Sequence, residues 1–173
     1  MNQFRIKFNY NIENIGLKMV KVECCKIDAK FKDENKVIYR RETKIFLNEN
    51  NKDMCIGIVL MLNPGKCLPK DKINNYWQLF NPECDNTQNN VANCVKEAYD
   101  CQPQGYVYIV NLSEKREPDS KKFYEKLSED FDNRREERAN EMIVEIETEI
   151  NKPNNQIKWI WVAIGTDKNL KLC

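Results

Sequence analysis

Hydrophobic and polar positions change rhythm partway along the chain. In the first fifty residues they alternate: Phe4, Ile6 and Phe8 are separated by polar residues, and Val37, Tyr39, Ile45, Phe46 and Leu47 fall in a second such stretch. Alternation with period two marks strands with one wet face. It predicts strands over 4–10, 19–31 and 36–47, with Asp33-Glu34-Asn35-Lys36 as a turn, folded as an antiparallel meander. Beyond residue 50 the alternation gives way to apolar runs at 55–62, 106–110 and 157–164, the last interrupted only by Lys158. Runs of that kind suit strands buried on both faces of a parallel sheet.

Helical spacing fills the intervals. Asp85 with Gln88 has the form of a capping box, and Val91, Cys94, Val95 and Ala98 follow at helical spacing. A short helix is predicted near 119–128. A longer one is predicted near 134–151, with Ala139, Met142, Ile143, Ile146 and Ile150 as its apolar stripe and Glu141, Glu145, Glu147 and Glu149 mostly toward water. Lys152-Pro153-Asn154 stops it. Strand–helix–strand–helix–strand implies right-handed crossovers. The expectation is one α/β domain over 1–173: a three-layer αβα sandwich with a mostly parallel central sheet (51–173) and an N-terminal antiparallel β extension (1–50). The segment 63–86, rich in Asn and Pro and carrying Tyr76, Trp77 and Phe80, is long for a connection and reads as a lid or binding loop, or as a disordered one.

Composition narrows the class. A chain of 173 residues with 41% hydrophobic and 32% charged residues can bury a core and is neither disordered nor membrane-spanning. Its start lacks the apolar core of a signal peptide, so a cytoplasmic location and no membrane partner are expected. The eight cysteines form no C-x-x-C pair and there is no histidine, so reduced structural thiols and no bound metal are expected. Cys67, beside Lys66, is the thiol whose reactivity merits a test. Net charge is +1, but residues 1–52 hold 12 Lys+Arg against 7 Asp+Glu, and the rest hold 16 against 20. That basic half is read as a solvated sheet face, with an acidic partner as the alternative.

Ligands of open parallel sheets sit beyond the carboxyl ends of the strands. Asn63-Pro64-Gly65 follows the first core run, Asn111 ends the second with Arg116 and Asp119 after it, and Gly165-Thr166-Asp167 ends the third. Asp85 and Thr87 open a helix, where free N–H groups suit a polar ligand. Asn63 and Asp85 are therefore the candidate catalytic groups; Pro64, Gly65, Lys66, Trp77, Thr87, Asn111, Arg116 and Asp119 are candidate ligand contacts. Arg134, Arg135 and Arg138, near a helix start, could hold a phosphate or be solvated. No P-loop, G-x-G-x-x-G or G-x-S-x-G occurs, and the lack of histidine removes every Ser-His or Cys-His arrangement.

Several of these residues form an ordered series. Tyr39-Arg40, Leu62-Asn63-Pro64-Gly65, Asp85-Asn86-Thr87, Asn111-Leu112 through Arg116 to Asp119, Asn140-Glu141 and Ala163-Ile164-Gly165 resemble the domain-of-unknown-function-1643 family of bacterial and phage proteins. Gly65, Glu141 and Ile164 stand where that family has serine, aspartate and tryptophan. A more distant likeness is to the uracil-DNA glycosylase superfamily, whose mismatch-specific branch also ends a strand in N-P-G. That likeness implies that Asn63 positions a water for attack on a glycosidic carbon while Trp77 or Phe80 stacks on an extruded base. Two functions are expected to compete: a polar pocket recognising a nucleobase, nucleotide or nucleic acid, with hydrolysis of N-glycosidic bonds left open and no cofactor; or a non-catalytic interaction or regulatory protein of phage or mobile-element origin, with a host protein as partner.

Overall fold

The computed structural model describes residues 26–48, 52–99 and 103–163. Strands expected over 4–10 and in the first part of 19–31, and the Gly165-Thr166-Asp167 turn, lie outside the described residues. Six strands form one sheet: β1 (Ile27–Glu34), β2 (Val37–Phe46), β3 (Cys55–Met61), β4 (Gln78–Phe80), β5 (Tyr106–Asn111) and β6 (Trp159–Ala163), in the spatial order β4-β1-β2-β5-β3-β6. Two helices, α1 (Asn86–Glu97) and α2 (Ser120–Ile150), complete the described chain.

The three apolar runs do lie side by side and parallel, β5 and β6 flanking β3. The sheet as a whole does not follow the expectation. The pairings β4–β1, β1–β2 and β2–β5 are antiparallel, so the sheet is mixed rather than mostly parallel. The N-terminal hairpin is no separate extension: β2 hydrogen-bonds directly to β5 because Thr43 and Ile45 bury beside Ile109 and Val107. Nor does a full three-layer sandwich form, since each face of the sheet carries a single helix rather than a helical layer. The chain passes from β3 through α1 to β5 and from β5 through α2 back across β3 to β6, two steps in opposite directions, so right-handed crossovers put one helix on each face. Val91, Ala92 and Val95 of α1 pack on Ile45, Val59, Val107 and Ile109. Met142 and Ile146 of α2 pack on Ile58, Tyr106, Tyr108 and Val110 of the opposite face.

The antiparallel half is covered on its α1 side by the segment 63–86 instead of a helix. Cys67, Ile73, Phe80 and Cys84 close over Ile27, Ala29 and Phe31, with Phe80 edge-on to Phe31 at 5.8 Å between ring centres. The expected lid is thus a wall of the core, and it contributes an unexpected edge strand, β4. Three further expectations change. The helices expected at 119–128 and 134–151 are one continuous α2. Glu149 points inward, 1% exposed, while Ile143, Val144 and Ile150 are exposed. The run at 157–164 supplies β6, an edge strand with Ile160, Trp161 and Val162 exposed, not a strand buried on both faces.

Two backbone details position side chains. Asn35 and Lys36 both take positive φ (54° and 67°), the geometry of a two-residue type I′ hairpin turn. Farther along β2, Glu42 (φ 49°) and Thr43 together oppose the single residue Ala29, a β-bulge. Glycine is required by close approach at Gly57, where a Cβ would stand 2.2 Å from the Trp159 ring.

Candidate functional site

The β1–β2 bulge decides what the α1 face presents. In β1, Ile27, Ala29 and Phe31 all bury on that face. Across the hairpin, Ile45 opposes Ile27 and Arg40 opposes Phe31. Without the extra residue Arg40 would point the other way, so the bulge turns its guanidinium inward, where it is 2% exposed. Thr43 opposes Ile109, and Asn111 lies two residues farther along β5. Diagonal neighbours of this kind have Cα atoms about 7–8 Å apart. Arg40, Thr43 and Asn111 therefore line one patch of the α1 face, near the carboxyl ends of β3 and β5.

These polar groups are buried and unpaired. Nε and Nη1 of Arg40, Oγ1 of Thr43 and both amide atoms of Asn111 have no hydrogen-bond partner. A buried polar group left so costs about 1–3 kcal/mol, and a charged one more. Native proteins rarely carry several such groups together, and a cluster calls for an explanation in function or bound solvent. Burial holds the Arg40 pKa below its ordinary value, opposed by the nearby Cys67 thiol and Asp85 carboxylate. Burial likewise pushes Cys67 up, against the pull of Arg40. This thiol is 4% exposed and protonated at neutral pH, which is the opposite of a reactive cysteine.

The loop after β3 and the start of α1 close over this patch. Asp85 caps α1, its Oδ1 accepting from the backbone N–H of Thr87 (2.9 Å) and Gln88 (3.1 Å), while the Gln88 side chain accepts from the Asp85 N–H. Its Oδ2 accepts from the Cys67 N–H at 3.1 Å. Gly65 makes room for this, since a Cβ there would stand 2.7 Å from that same Oδ2. Arg116 donates from Nη2 to the Lys66 carbonyl at 2.8 Å. Asn63 donates from Nδ2 to the carbonyls of Glu117 (2.7 Å) and Pro64 (3.2 Å).

The sequence-derived candidates therefore divide. Asn63, Pro64, Gly65, Lys66, Asp85, Thr87, Asn111 and Arg116 gather at one end of the parallel strands. Within that group, Asn63 and Asp85 have the polar atoms just described occupied by backbone groups, which leaves them structural work as tie and cap. Trp77 lies elsewhere. Its ring takes the Arg41 guanidinium at 4.1 Å and the Lys32 ammonium at 5.3 Å, and both cations belong to the face opposite Arg40. Asp119 accepts from the Lys122 N–H at 3.4 Å at the start of α2. Arg134 and Arg135 fall inside α2, not near a helix start. Arg138 spends its guanidinium on the carbonyls of Asn111 (2.6 Å) and Leu112 (3.3 Å) and on Glu114, Glu141 and Glu145.

Sequence reasoning missed Thr43 altogether and met Arg40 only within the Tyr39-Arg40 pair. Among the described residues no cluster of His, Cys, Asp or Glu could hold a metal ion, and no helix is long and apolar enough to cross a membrane. No protein-family model, curated protein or solved structure matches the chain.

Proposed function

We propose that the patch under the α1 N-terminus binds a nucleobase-bearing anion, a nucleotide or a nucleotide unit of a nucleic acid, and does so by recognition rather than hydrolysis. The observation that carries this is the Asn111 side chain, 3% exposed with neither amide atom paired, beside a buried Arg40 with two unpaired nitrogens. An amide offers a donor and an acceptor side by side, the pattern that pairs with the polar edge of a base. A guanidinium suits phosphate, and the Thr43 hydroxyl can serve as donor or acceptor for either part.

Recognition is favoured over N-glycosidic cleavage because the two groups that would do the chemistry are engaged. Asp85 accepts three backbone N–H groups, and Asn63 Nδ2 is bonded to two carbonyls. A binding protein without catalysis also agrees with the second expectation, a regulatory or interaction protein.

The test is calorimetric titration with nucleoside mono-, di- and triphosphates, free bases, inorganic phosphate and short single-stranded DNA. Uracil-containing and mismatched duplexes are assayed in parallel for base release. Saturable binding to base-bearing anions, weakened at least tenfold by Asn111→Leu and by Arg40→Met, is expected, with no base released. Absence of binding across the whole set would remove the proposal, and base release would replace recognition with catalysis.

A further inference from the structure

The two edges of the sheet are finished differently. At one edge β4 is three residues long and runs into Asn81-Pro82. At the other, β6 runs Trp159-Ile160-Trp161-Val162-Ala163 without a charge, a proline or a glycine. The Lys158 N–H bonds to the Ile56 carbonyl. That bond precedes the ladder, because Ile157 packs toward α2 and Trp159 toward α1. Within the ladder the Leu112 N–H bonds to the Met61 carbonyl, so odd-numbered β3 residues bond β5 and even-numbered ones bond β6. The register then commits Trp159, Trp161 and Ala163 to β3 and leaves the N–H and C=O of Ile160 and Val162 pointing outward. Native edges are normally blunted by charge, proline, a bulge or covering chain; among the described residues β6 has none of these.

Apolar side chains continue the edge onto α2. Ile160 and Val162 share the face of their partners Ile58 and Leu60, the face on which α2 packs. On α2, Arg138 and Glu141 lean toward Glu114, over β5 and β2. Helical spacing places Ile143 and Ile150 on the opposite flank, toward β6. Ile143, Ile150, Ile160, Trp161 and Val162 each keep between 40% and 55% of their surface exposed.

We propose that this edge is a homodimer interface, in which β6 of two copies pairs antiparallel about a two-fold axis at Trp161 and the two sheets join into one. The geometry is self-complementary. Ile160 and Val162 have their N–H and C=O directed outward, so Ile160 of one copy forms a doubly hydrogen-bonded pair with Val162 of the other on each side of the axis, and the two Trp161 residues face each other as a non-hydrogen-bonded pair. Charge permits it: the two Lys158 residues lie six positions apart, about 20 Å along the strands, beyond the screening length of roughly 8–10 Å. The size is adequate as well. The five exposed side chains present on the order of 400 Å² per copy, and doubled with the paired backbone this comes to about the 1,000 Å² where specific interfaces begin. A two-fold isologous contact is also the commonest route by which identical chains close an interface without leaving a further free edge.

The experiment uses the full chain. Mass is followed by light scattering and sedimentation over roughly 1–200 µM, a range that detects dissociation constants from micromolar to high micromolar, and amide exchange is read at low and high concentration. A dimer is expected, with the amides of Ile160 and Val162 exchanging slowly only where the dimer is populated. Val162→Lys is expected to weaken association at least tenfold with an unchanged far-UV spectrum. Ile160→Pro, which deletes an outward N–H and leaves the bonds to β3, is expected to do the same. A monomer throughout the range overturns the proposal. So does slow exchange of both amides in a monomer, which would mean that residues 1–25 or 164–173 of the same chain cover the edge. A dimer indifferent to both substitutions overturns it too.

Discussion

Strand β5 offers a controlled comparison, because its two faces carry polar groups under opposite conditions. Toward α2, the Tyr106 hydroxyl donates to Glu149, which also accepts from Lys152 (2.5 Å) and from Asn155 (2.9 Å), and the Tyr108 hydroxyl donates to Glu145 at 2.9 Å. Asn155 in turn accepts from the Cys55 N–H at 2.8 Å, tying the turn after α2 to β3. Toward α1, Asn111, Thr43 and Arg40 hold unpaired atoms at comparable burial. A satisfied polar network fixes how a helix sits on a sheet; an unsatisfied one is a cost that a bound partner can repay. Polarity at depth is therefore scaffold on one face of the strand and, in the function proposed above, a binding surface on the other.

The largest test of that contrast is on the scaffold side. Glu149→Ala strips the partner from Lys152, Asn155 and Tyr106 together and is expected to cost about 3 kcal/mol, as removal of one member of a buried ionic network does; urea denaturation reads it. Next comes a pair of opposite sign. Tyr108→Phe leaves Glu145 with Arg138 alone and should lose about 1–2 kcal/mol, whereas Asn111→Leu removes two unpaired atoms and should gain about 1 kcal/mol while weakening the proposed nucleotide binding at least tenfold. A loss of stability in Asn111→Leu would mean that Asn111 is paired in solution by the protein itself, and the contrast would fail.

Acid titration sharpens the scaffold side further. Burial raises the Glu145 pKa above its ordinary 4.5, more than Tyr108 and Arg138 lower it. The native state then holds more protons than the unfolded state above pH 4.5, so this group's contribution to stability declines as pH rises through that window. One turn on, burial also pushes Glu149 upward, but hydrogen bonds from Lys152, Tyr106 and Asn155 together outweigh it and the net shift is downward. Its contribution is present above pH 4.5 and is lost as pH falls below it. Stability–pH curves of Glu145→Gln and Glu149→Gln should each lose one of these opposite slopes. The smallest effect serves as a control remote from both faces: Lys36→Gly at the type I′ turn should stabilise by about 0.5 kcal/mol, and it should leave ligand binding and the Glu149 titration unchanged.

Local pattern was readable where one element decides it. The capping box of Asp85 and Gln88 and the parallel trio of apolar runs follow from residues near in sequence. Long-range pairing was not. The run at 157–164 has the apolarity of a central strand, yet it forms an edge because neighbour order is a property of the whole sheet. Glu149 looked solvated because three of its partners, at 106, 152 and 155, lie outside the helix that carries it. Arg40 is the instructive case. With the turn at Asn35-Lys36, regular pairing would set Ile27 against Lys44; burying Ile27 against Ile45 requires one extra residue in β2. That mismatch in the hydrophobic pattern was visible in the sequence, and it is the signal that would have turned Arg40 inward.

The bulge at Glu42 consequently acts as a parity element. Every residue of β2 before it occupies the side that simple alternation would deny it. Losing one residue there would leave composition, charge and strand propensity almost untouched, yet it would exchange inside for outside over the first half of the strand. Arg40 would join the Trp77 side and Arg41 would take its place beneath α1. A chain that so resembled its parent in every average property would have lost the floor of its proposed binding surface through a change in count alone.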